Sequence, residues 1–163
     1  VQKAEKAREA GECMGEALPE LRDIMHKIKE TYDVSKENVG VGSTIFAVKP
    51  GDGSAREQAA SCQKVLGGWA NIANEYATKR YRSNLINWGM LPFIIDKGEL
   101  PFTNGDYIFI PKIADAVKNK ATSMKAYVVN KDMKEFELKM DELTDDEREI
   151  ILDGCLINYY RNH

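Results

Sequence analysis

A glycine-rich turn between an apolar segment and a helix start constrains this chain more than any other feature of its sequence. Residues 44–48, Thr-Ile-Phe-Ala-Val, predict a buried strand, and residues 51–57, Gly-Asp-Gly-Ser-Ala-Arg-Glu, follow after two residues. A strand, a flexible turn and a helix N-terminus form a corner whose backbone amides and positive helix end favour a carboxylate or phosphate. Arg56 adds a planar guanidinium suited to a carboxylate, and Ser54 adds a hydroxyl. We interpret the turn as half of an active site.

The same turn has an alternative interpretation that involves no ligand. Residues 54–57 match a helix capping box, in which Ser54 only caps the helix while Arg56 only faces solvent. The turn also lacks the lysine of a P-loop and the spacing of a dinucleotide-binding fingerprint. From local sequence alone, both interpretations stay open.

Length and composition predict one globular domain. The 163 residues are 43% hydrophobic and 30% charged, with a formal net charge of -3. Residues 1–12 do not form a signal peptide, and no apolar segment has the length of a membrane span, so we expect a cytoplasmic protein without a membrane partner. The acidic balance argues against a nucleic-acid partner, and we interpret the basic residues Lys79, Arg80 and Arg82 as the solvated face of a helix.

The cysteines and histidines do not predict a metal site within the chain. Cys13, Cys62 and Cys155 are far apart and odd in number, which supports neither a disulfide framework nor an iron–sulfur ligand set. We expect Cys62 and Cys155 to be small buried residues within helices. His26 and His163 are too scattered for a zinc site.

Helix and strand signals alternate along the chain, which predicts the α/β class. Helices are expected over residues 2–10, 18–32, 55–66 and 77–88, with a loop over 33–42. Strands are expected over 44–48, 69–73, 91–95 and 107–110, followed by a hairpin of 126–129 with 134–140. Thr144 opens a capping box for one last helix, and the residues expected in its buried stripe are Leu152, Cys155, Leu156 and Tyr159.

A second segment resembles a known family. Residues 81–93 read Tyr-Arg-Ser-Asn-Leu-Ile-Asn-Trp-Gly-Met-Leu-Pro-Phe, which is similar to the Asn-Leu-Ile-Asn-aromatic-Gly-x-Leu-Pro signature of the aconitase family's swivelling C-terminal domain. The turn at 51–57 resembles that family's Gly-Ser-Ser-Arg-Glu loop, in the same order and at a similar separation. The resemblance covers residues 40–120 and weakens at both ends.

The resemblance implies an architecture. The expected fold is a mixed sheet flanked by helices, of the aconitase C-terminal or isopropylmalate isomerase small-subunit type. It implies a single swivelling domain over residues 1–163, in which residues 1–35 form a helical N-terminal extension. It also implies that the chain is the C-terminal part of a larger enzyme.

The resemblance further implies a hydro-lyase that reversibly dehydrates a hydroxy-polycarboxylic acid. The family's loop serine, which removes a proton from carbon, matches Ser54, and its carboxylate-binding arginine matches Arg56. Gly53, Ser54, Ala55 and Arg56 are then the expected substrate-binding residues. A [4Fe-4S] cluster is implied outside this chain, in domains of the same polypeptide or in a separate large subunit. The isolated chain is therefore expected to be inactive.

Two positions depart from the family's loop, and two other functions stay open. Ala55 stands where the family has a second loop serine, and Gln58 stands where it has a histidine. The alternative from another class is a non-catalytic anion-binding or interaction module that uses the same turn. A third option is RNA binding, against which the acidic balance argues.

Overall fold

The computed structural model describes residues 1–35 and 37–163, so Lys36 of the predicted loop lies outside the described residues. The helices of the described part are α1 (Gln2–Glu9), α2 (Glu20–Thr31), α3 (Arg56–Val65), α4 (Lys79–Asn87), α5 (Ile113–Lys118), α6 (Asp145–Leu152) and α7 (Leu156–Asn162). The strands are β1 (Ser43–Ala47), β2 (Gly68–Ala73), β3 (Leu91–Ile94), β4 (Ile108–Phe109), β5 (Ser123–Val128) and β6 (Lys134–Lys139).

The chain forms two compact units. The first unit comprises Val1–Gly42, Glu99–Ile110 and Ala126–Phe136, and the second comprises Ser43–Gly98, Pro111–Lys125 and Glu137–His163. The glycine-rich turn belongs to the second unit. The single swivelling domain over residues 1–163 stays a prediction. None of the helices in the described residues combines the length and apolar character needed to span a bilayer.

The second unit contains a mixed sheet. β1, β2 and β3 are parallel neighbours, with Ile72 of β2 opposite Phe93 of β3. β6 is antiparallel to β3, where Ile94 pairs with Lys139, and β5 follows β6 in the strand order. Parallel neighbours need crossover connections, which α3 and α4 supply while packing on β2 and β3. The predicted α/β class, with a mixed sheet flanked by helices, is confirmed.

Strand β1 exists as predicted, but the prediction that it is buried was wrong. Ile45 is 45% exposed and Val48, just after the strand, is 59% exposed. β1 stands at the end of the strand order, and among the described strands it pairs only with β2. The helices that cover the sheet pack on β2 and β3, so apolar residues of the edge strand keep contact with solvent.

Helix α4 and the start of β3 enclose the core beside the turn. Tyr81 and Leu85, one turn apart on α4, are buried together with Met90 and with Ala60 of α3. Trp88 is half-buried and packs against this cluster. Tyr81, Leu85 and Trp88 recur at helical spacing, so one face of the helix predicted over 77–88 packs into this core.

The first unit is built around α2. Its buried residues Leu21, Ile24 and Ile28 recur at helical spacing, within the helix predicted over 18–32. β4 pairs antiparallel with the end of β5, where Ile108 lies opposite Val128. This unit therefore has a helix stripe and a strand pair of its own.

A buried carboxylate connects α1 with the chain that follows α2. Glu5 is only 9% exposed, and it accepts hydrogen bonds from Arg8 at 2.7 and 2.9 Å. The backbone N–H of Val41 donates to the same carboxylate at 2.8 Å. Because a buried charge is costly unless it is paired, these three bonds account for its position.

The predicted last helix is divided in two. α6 begins with the predicted capping box at Thr144, but α6 and α7 are separate helices on either side of Gly154, which has φ +90°. Cys155 is the N-cap of α7, and none of the residues of α7 is fully buried. The prediction of one continuous buried stripe was wrong, because a left-handed glycine ends the first helix.

We predict that Gly89→Ala destabilises the protein far more than Gly154→Ala. Both glycines have left-handed φ angles, of +70° and +90°, which cost alanine about 1–2 kcal/mol. A Cβ at Gly89 would lie 1.8 Å from the carbonyl oxygen of Gly154, whereas a Cβ at Gly154 would lie 3.7 Å from the Asn158 side chain. Chemical denaturation is expected to give a further loss of about 1–3 kcal/mol for Gly89→Ala alone. Equal losses would contradict the close backbone contact.

Candidate active site

The turn after β1 is held by hydrogen bonds to a single carbonyl. The Gly51 oxygen accepts from Nε of Arg56 at 3.1 Å and from the hydroxyl of Thr78 at 3.4 Å. Thr78 is the N-cap of α4, and its oxygen accepts from the backbone N–H of Tyr81 at 3.2 Å. The start of α4 and the start of α3 therefore meet at Gly51.

Tyr81 supports the turn by direct packing. A Cβ on Gly51, which has φ +95°, would lie 2.5 Å from Cβ and Cγ of Tyr81, so only glycine lets the backbone approach this closely. The Tyr81 side chain is buried, and its hydroxyl accepts from the amides of Asn71 on β2 and Gln63 on α3, each at 2.9 Å. The turn thus rests on a residue that is fixed to the sheet and to α3.

The residues before α4 fix the chain that leads into the turn. The hydroxyl of Tyr76 donates to the carbonyl oxygens of Phe93 at 2.9 Å and Asn71 at 3.3 Å. Burial raises the pKa of this hydroxyl, so Tyr76 remains a neutral donor at physiological pH. The N–H of Ala77 donates to the Pro50 carbonyl at 2.9 Å. These contacts make Tyr76 a structural residue rather than an acid or base.

Ser54 does not cap α3. The N-cap is Ala55, and it makes no side-chain capping bond. Glu57, which the capping box would require, instead accepts from the indole Nε1–H of Trp88 at 3.1 Å. The interpretation in which Ser54 only caps the helix was therefore wrong. The Ser54 side chain is exposed at the turn, and the first amides of α3 have no side-chain acceptor among the described residues.

Arg56 is neither fully exposed nor fully engaged. It is half-buried, and its Nε bond to Gly51 fixes the plane of the guanidinium. The two Nη groups donate to none of the described residues. They leave a pair of parallel donors, which is the geometry that recognises a carboxylate in bidentate fashion. The interpretation of Arg56 as only a solvent-facing residue was wrong.

The structure therefore brings Gly53, Ser54, Ala55 and Arg56 together at the N-terminus of α3. Exposed amides, one hydroxyl and one guanidinium fork are groups that can bind an anion, and they lie after the carboxyl end of β1. The sequence prediction missed Thr78 and Tyr81, although a threonine directly before a helix is an N-cap signal.

Known proteins resemble this chain in sequence and in fold. Residues 26–98 match the family model described as the aconitase C-terminal domain. The fold matches the crystal structure of 3-isopropylmalate dehydratase from Methanocaldococcus jannaschii with a TM-score of 0.55. The two sequences are 30% identical, and the match covers 85% of this chain and 75% of that one. This chain belongs to the aconitase family. The expected aconitase C-terminal fold is thereby confirmed.

A curated relative is much longer than this aconitase-family chain. Aconitate hydratase A of Rickettsia bellii is 29% identical over 152 residues, which are 89% of this chain and 17% of that protein. The chain thus spans about one-sixth of the length of this relative. Ala55 and Gln58, which depart from the family's loop, lie within the stretch that matches the family model.

The aconitase-family signature on α4 contributes to a cleft. Asn84, Asn87 and Trp88 line a cavity of about 210 Å³, and its other lining residues are Glu57, Cys155, Leu156 and Ile157. Part of the lining comes from the start of α7, which the sequence prediction had placed inside a continuous helix.

The basic residues at the start of α4 do not share one environment. Lys79 and Arg80 are exposed, as expected of a solvated face. Arg82 differs, because it donates to Glu147 at 3.2 Å and to the carbonyl oxygens of Asp141 and Glu142. Arg82 therefore connects α4 to the start of α6 and is not available as part of a basic surface patch.

The cysteines do not form a ligand set. Cys13 and Cys62 are exposed, and Cys155 is half-buried at the start of α7. Cys62 lies within α3, as expected, but the expectation that Cys62 and Cys155 are both buried was wrong. Within residues 1–35 and 37–163, no group of three His, Cys, Asp or Glu side chains is placed to hold a metal ion. The described residues of this chain do not fit an iron–sulfur cluster.

Proposed function

We propose that this chain is the C-terminal domain of an iron–sulfur hydro-lyase that reversibly dehydrates a hydroxy-polycarboxylic acid. The observation that carries the proposal is the turn itself. The Ser54 hydroxyl is exposed and does not cap α3, and it lies two residues before an arginine whose Nη groups have no partner among the described residues. Membership of the aconitase family supports the reaction class.

Arg56 is proposed to bind a carboxylate of the substrate. Its Nε donates to Gly51, which leaves the two Nη groups for the two oxygens of one carboxylate. Arginine suits this role because its fork is planar and stays charged. A carboxylate held there places the adjacent carbon next to the turn that carries Ser54.

Ser54 is proposed to remove the proton from the carbon beside that carboxylate. A serine hydroxyl is a weak base, so its alkoxide form needs stabilisation by cations and oriented amides. Arg56 supplies the cation, and the uncapped N-terminus of α3 supplies the amides. The carbon–hydrogen bond breaks, the proton moves to the Ser54 oxygen, and the electron pair is delocalised into the carboxylate on Arg56.

Gly53 and Ala55 are proposed to contribute backbone contacts. A Cβ on Gly53 would meet no atom within 4 Å, so the space beside it is open to a ligand. Ala55 offers its N–H but no hydroxyl, so the loop has one side-chain donor fewer than a serine at this position would supply. The substrate is therefore expected to be bound through Ser54, Arg56 and backbone amides.

The proposal places the [4Fe-4S] cluster outside this chain. The described residues offer no ligand set for this cluster, so none of them is proposed to bind it. The electron pair then forms the carbon–carbon double bond, and the hydroxyl group leaves the neighbouring carbon as hydroxide with the electron pair of the carbon–oxygen bond. None of the residues of the turn is proposed to receive this hydroxide. The cluster-binding partner is proposed to be another part of the same polypeptide or a separate large subunit, and the isolated chain is proposed to be inactive.

Anaerobic purification of the protein from its source cells tests the function. We expect a native mass several times 18.4 kDa, or an 18.4 kDa chain bound to a larger subunit, with iron, acid-labile sulfide and dehydration of a hydroxy-polycarboxylic acid. The 163-residue chain made alone should give no turnover. A lone iron-free protein of this size without activity would favour the anion-binding module. Turnover by the isolated chain without iron would contradict the requirement for a partner.

A further inference from the structure

We propose that Thr78 and Tyr81 are positioning residues, which hold the Gly51 turn so that Ser54 and Arg56 are aligned for reaction. This inference rests on the proposed function of the turn. Both residues lie on or directly before α4, and neither is part of the loop that carries the proposed chemistry. They act on it through Gly51, which both contact.

Thr78 joins two elements with one hydroxyl. As N-cap of α4 it accepts the N–H of Tyr81 at 3.2 Å, and it donates its proton to the Gly51 carbonyl at 3.4 Å. Because the acceptor role is used by the helix, the direction of the hydroxyl proton is set toward the turn. Gly51 is thereby held at a fixed position relative to α4.

The Gly51 carbonyl in turn positions Arg56, the proposed substrate-binding side chain. Arg56 donates Nε to the same oxygen at 3.1 Å, so a shift of that carbonyl turns the guanidinium fork with it. Loss of the Thr78 bond would leave Arg56 as the only side chain that fixes the carbonyl within the described residues. A displacement of the fork by about 1 Å is enough to lower the reaction rate strongly.

Tyr81 gives the turn a rigid structural support. It is 2% exposed, and its hydroxyl accepts from side chains on β2 and α3. The close approach of Gly51 to its Cβ and Cγ means that the turn cannot move toward α4, while the Thr78 bond opposes movement away from it. Together the two residues restrict the turn in both directions.

The test compares Thr78→Val with Thr78→Ser and Thr144→Val in the complete enzyme. Thr78→Val removes the hydroxyl, Thr78→Ser keeps it, and Thr144→Val removes an N-cap of the same kind from α6. Loss of either cap is expected to lower Tm by about 2–4 °C. Only Thr78→Val is expected to lower kcat, by about 10-fold or more, because only it releases the turn.

Amide hydrogen exchange on the same variants provides a readout independent of turnover. We expect faster exchange in Thr78→Val at the N–H groups of Ala59 and Ala77, which donate to the carbonyl oxygens of Ala55 and Pro50 on either side of the turn. Exchange at these two amides should match the wild type in Thr78→Ser and Thr144→Val. If Thr78→Val does not purify, Thr78→Ala removes the same hydroxyl.

The outcomes separate this proposal from the one on which it rests. A wild-type enzyme with no hydro-lyase activity would refute the proposed function, while the exchange data would still report on positioning. An active wild type together with unchanged kcat and unchanged exchange in Thr78→Val would overturn the positioning role. Equal loss of kcat in Thr78→Val and Thr144→Val would also overturn it, because reduced stability alone would then explain the effect.

Discussion

The Ser54→Ala variant of the complete enzyme is expected to lose about 10²- to 10⁴-fold in kcat, the usual contribution of a positioned acid or base. The fold should be retained, because Ser54 is exposed and α3 has its N-cap at Ala55. KM should change less than kcat, since Arg56 still binds the carboxylate. The measurement is steady-state dehydration together with exchange of the substrate's carbon-bound hydrogen in D₂O, which Ser54→Ala should also abolish.

Ser61→Ala is the matched control for this prediction. Ser61 lies within α3, the helix that follows Ser54. Its hydroxyl donates to the carbonyl of Gln58 at 3.2 Å, away from the turn. We expect this variant to keep the wild-type kcat and hydrogen exchange. A Ser54→Ala enzyme that also keeps most of its kcat would show that Ser54 is not the base, and the proton would then need another acceptor.

The features that sequence could predict are those set by local pattern. The helix over 18–32, the capping box at Thr144 and the alternation of β1, α3, β2, α4 and β3 each depend on residues close together in the chain. Helical spacing and turn signals fix such elements before tertiary contacts matter. The candidate site at residues 53–56 rests on the same kind of local signal and stays a prediction.

The role of Ser54 could not be decided locally, because one tetrapeptide fits two patterns. Residues 54–57 satisfy a capping box, yet the glutamate that would complete it is engaged by Trp88, 31 residues away. That contact depends on how α3 and α4 pack, which no local pattern specifies. The contact of Thr78 with the turn was missed for the same reason, since its bond to Gly51 spans 27 residues.

Burial was the least predictable property. Ile45 has the β-branched side chain of a buried strand, but β1 lies at the end of the strand order and keeps nearly half of that residue exposed. Cys155 was expected inside a helix, but the left-handed Gly154 places it at the start of α7 instead. Both errors arise where strand order or a single backbone angle overrides side-chain preference.

Gly51→Ala is expected to lower kcat of the complete enzyme by about 100-fold, because a displacement near 1 Å of catalytic groups has this effect. The new Cβ would lie 2.5 Å from Tyr81, which is buried and fixed by two hydrogen bonds, so the turn must move rather than the tyrosine. Ser54 and Arg56 move with it, since Arg56 is bonded to the Gly51 carbonyl. The measurement is kcat and KM, with Tm recorded for each variant.

Gly105→Ala separates the contact with Tyr81 from the strain of the backbone. Gly105 has φ +85°, close to the +95° of Gly51, but a Cβ there would meet no atom within 4 Å. Both substitutions should cost about 1–2 kcal/mol of stability for the left-handed conformation. Only Gly51→Ala should lose activity, since only that alanine displaces the turn. Wild-type kcat in Gly51→Ala would mean that the position of the turn does not control the reaction, and an equal loss in both variants would assign the effect to stability.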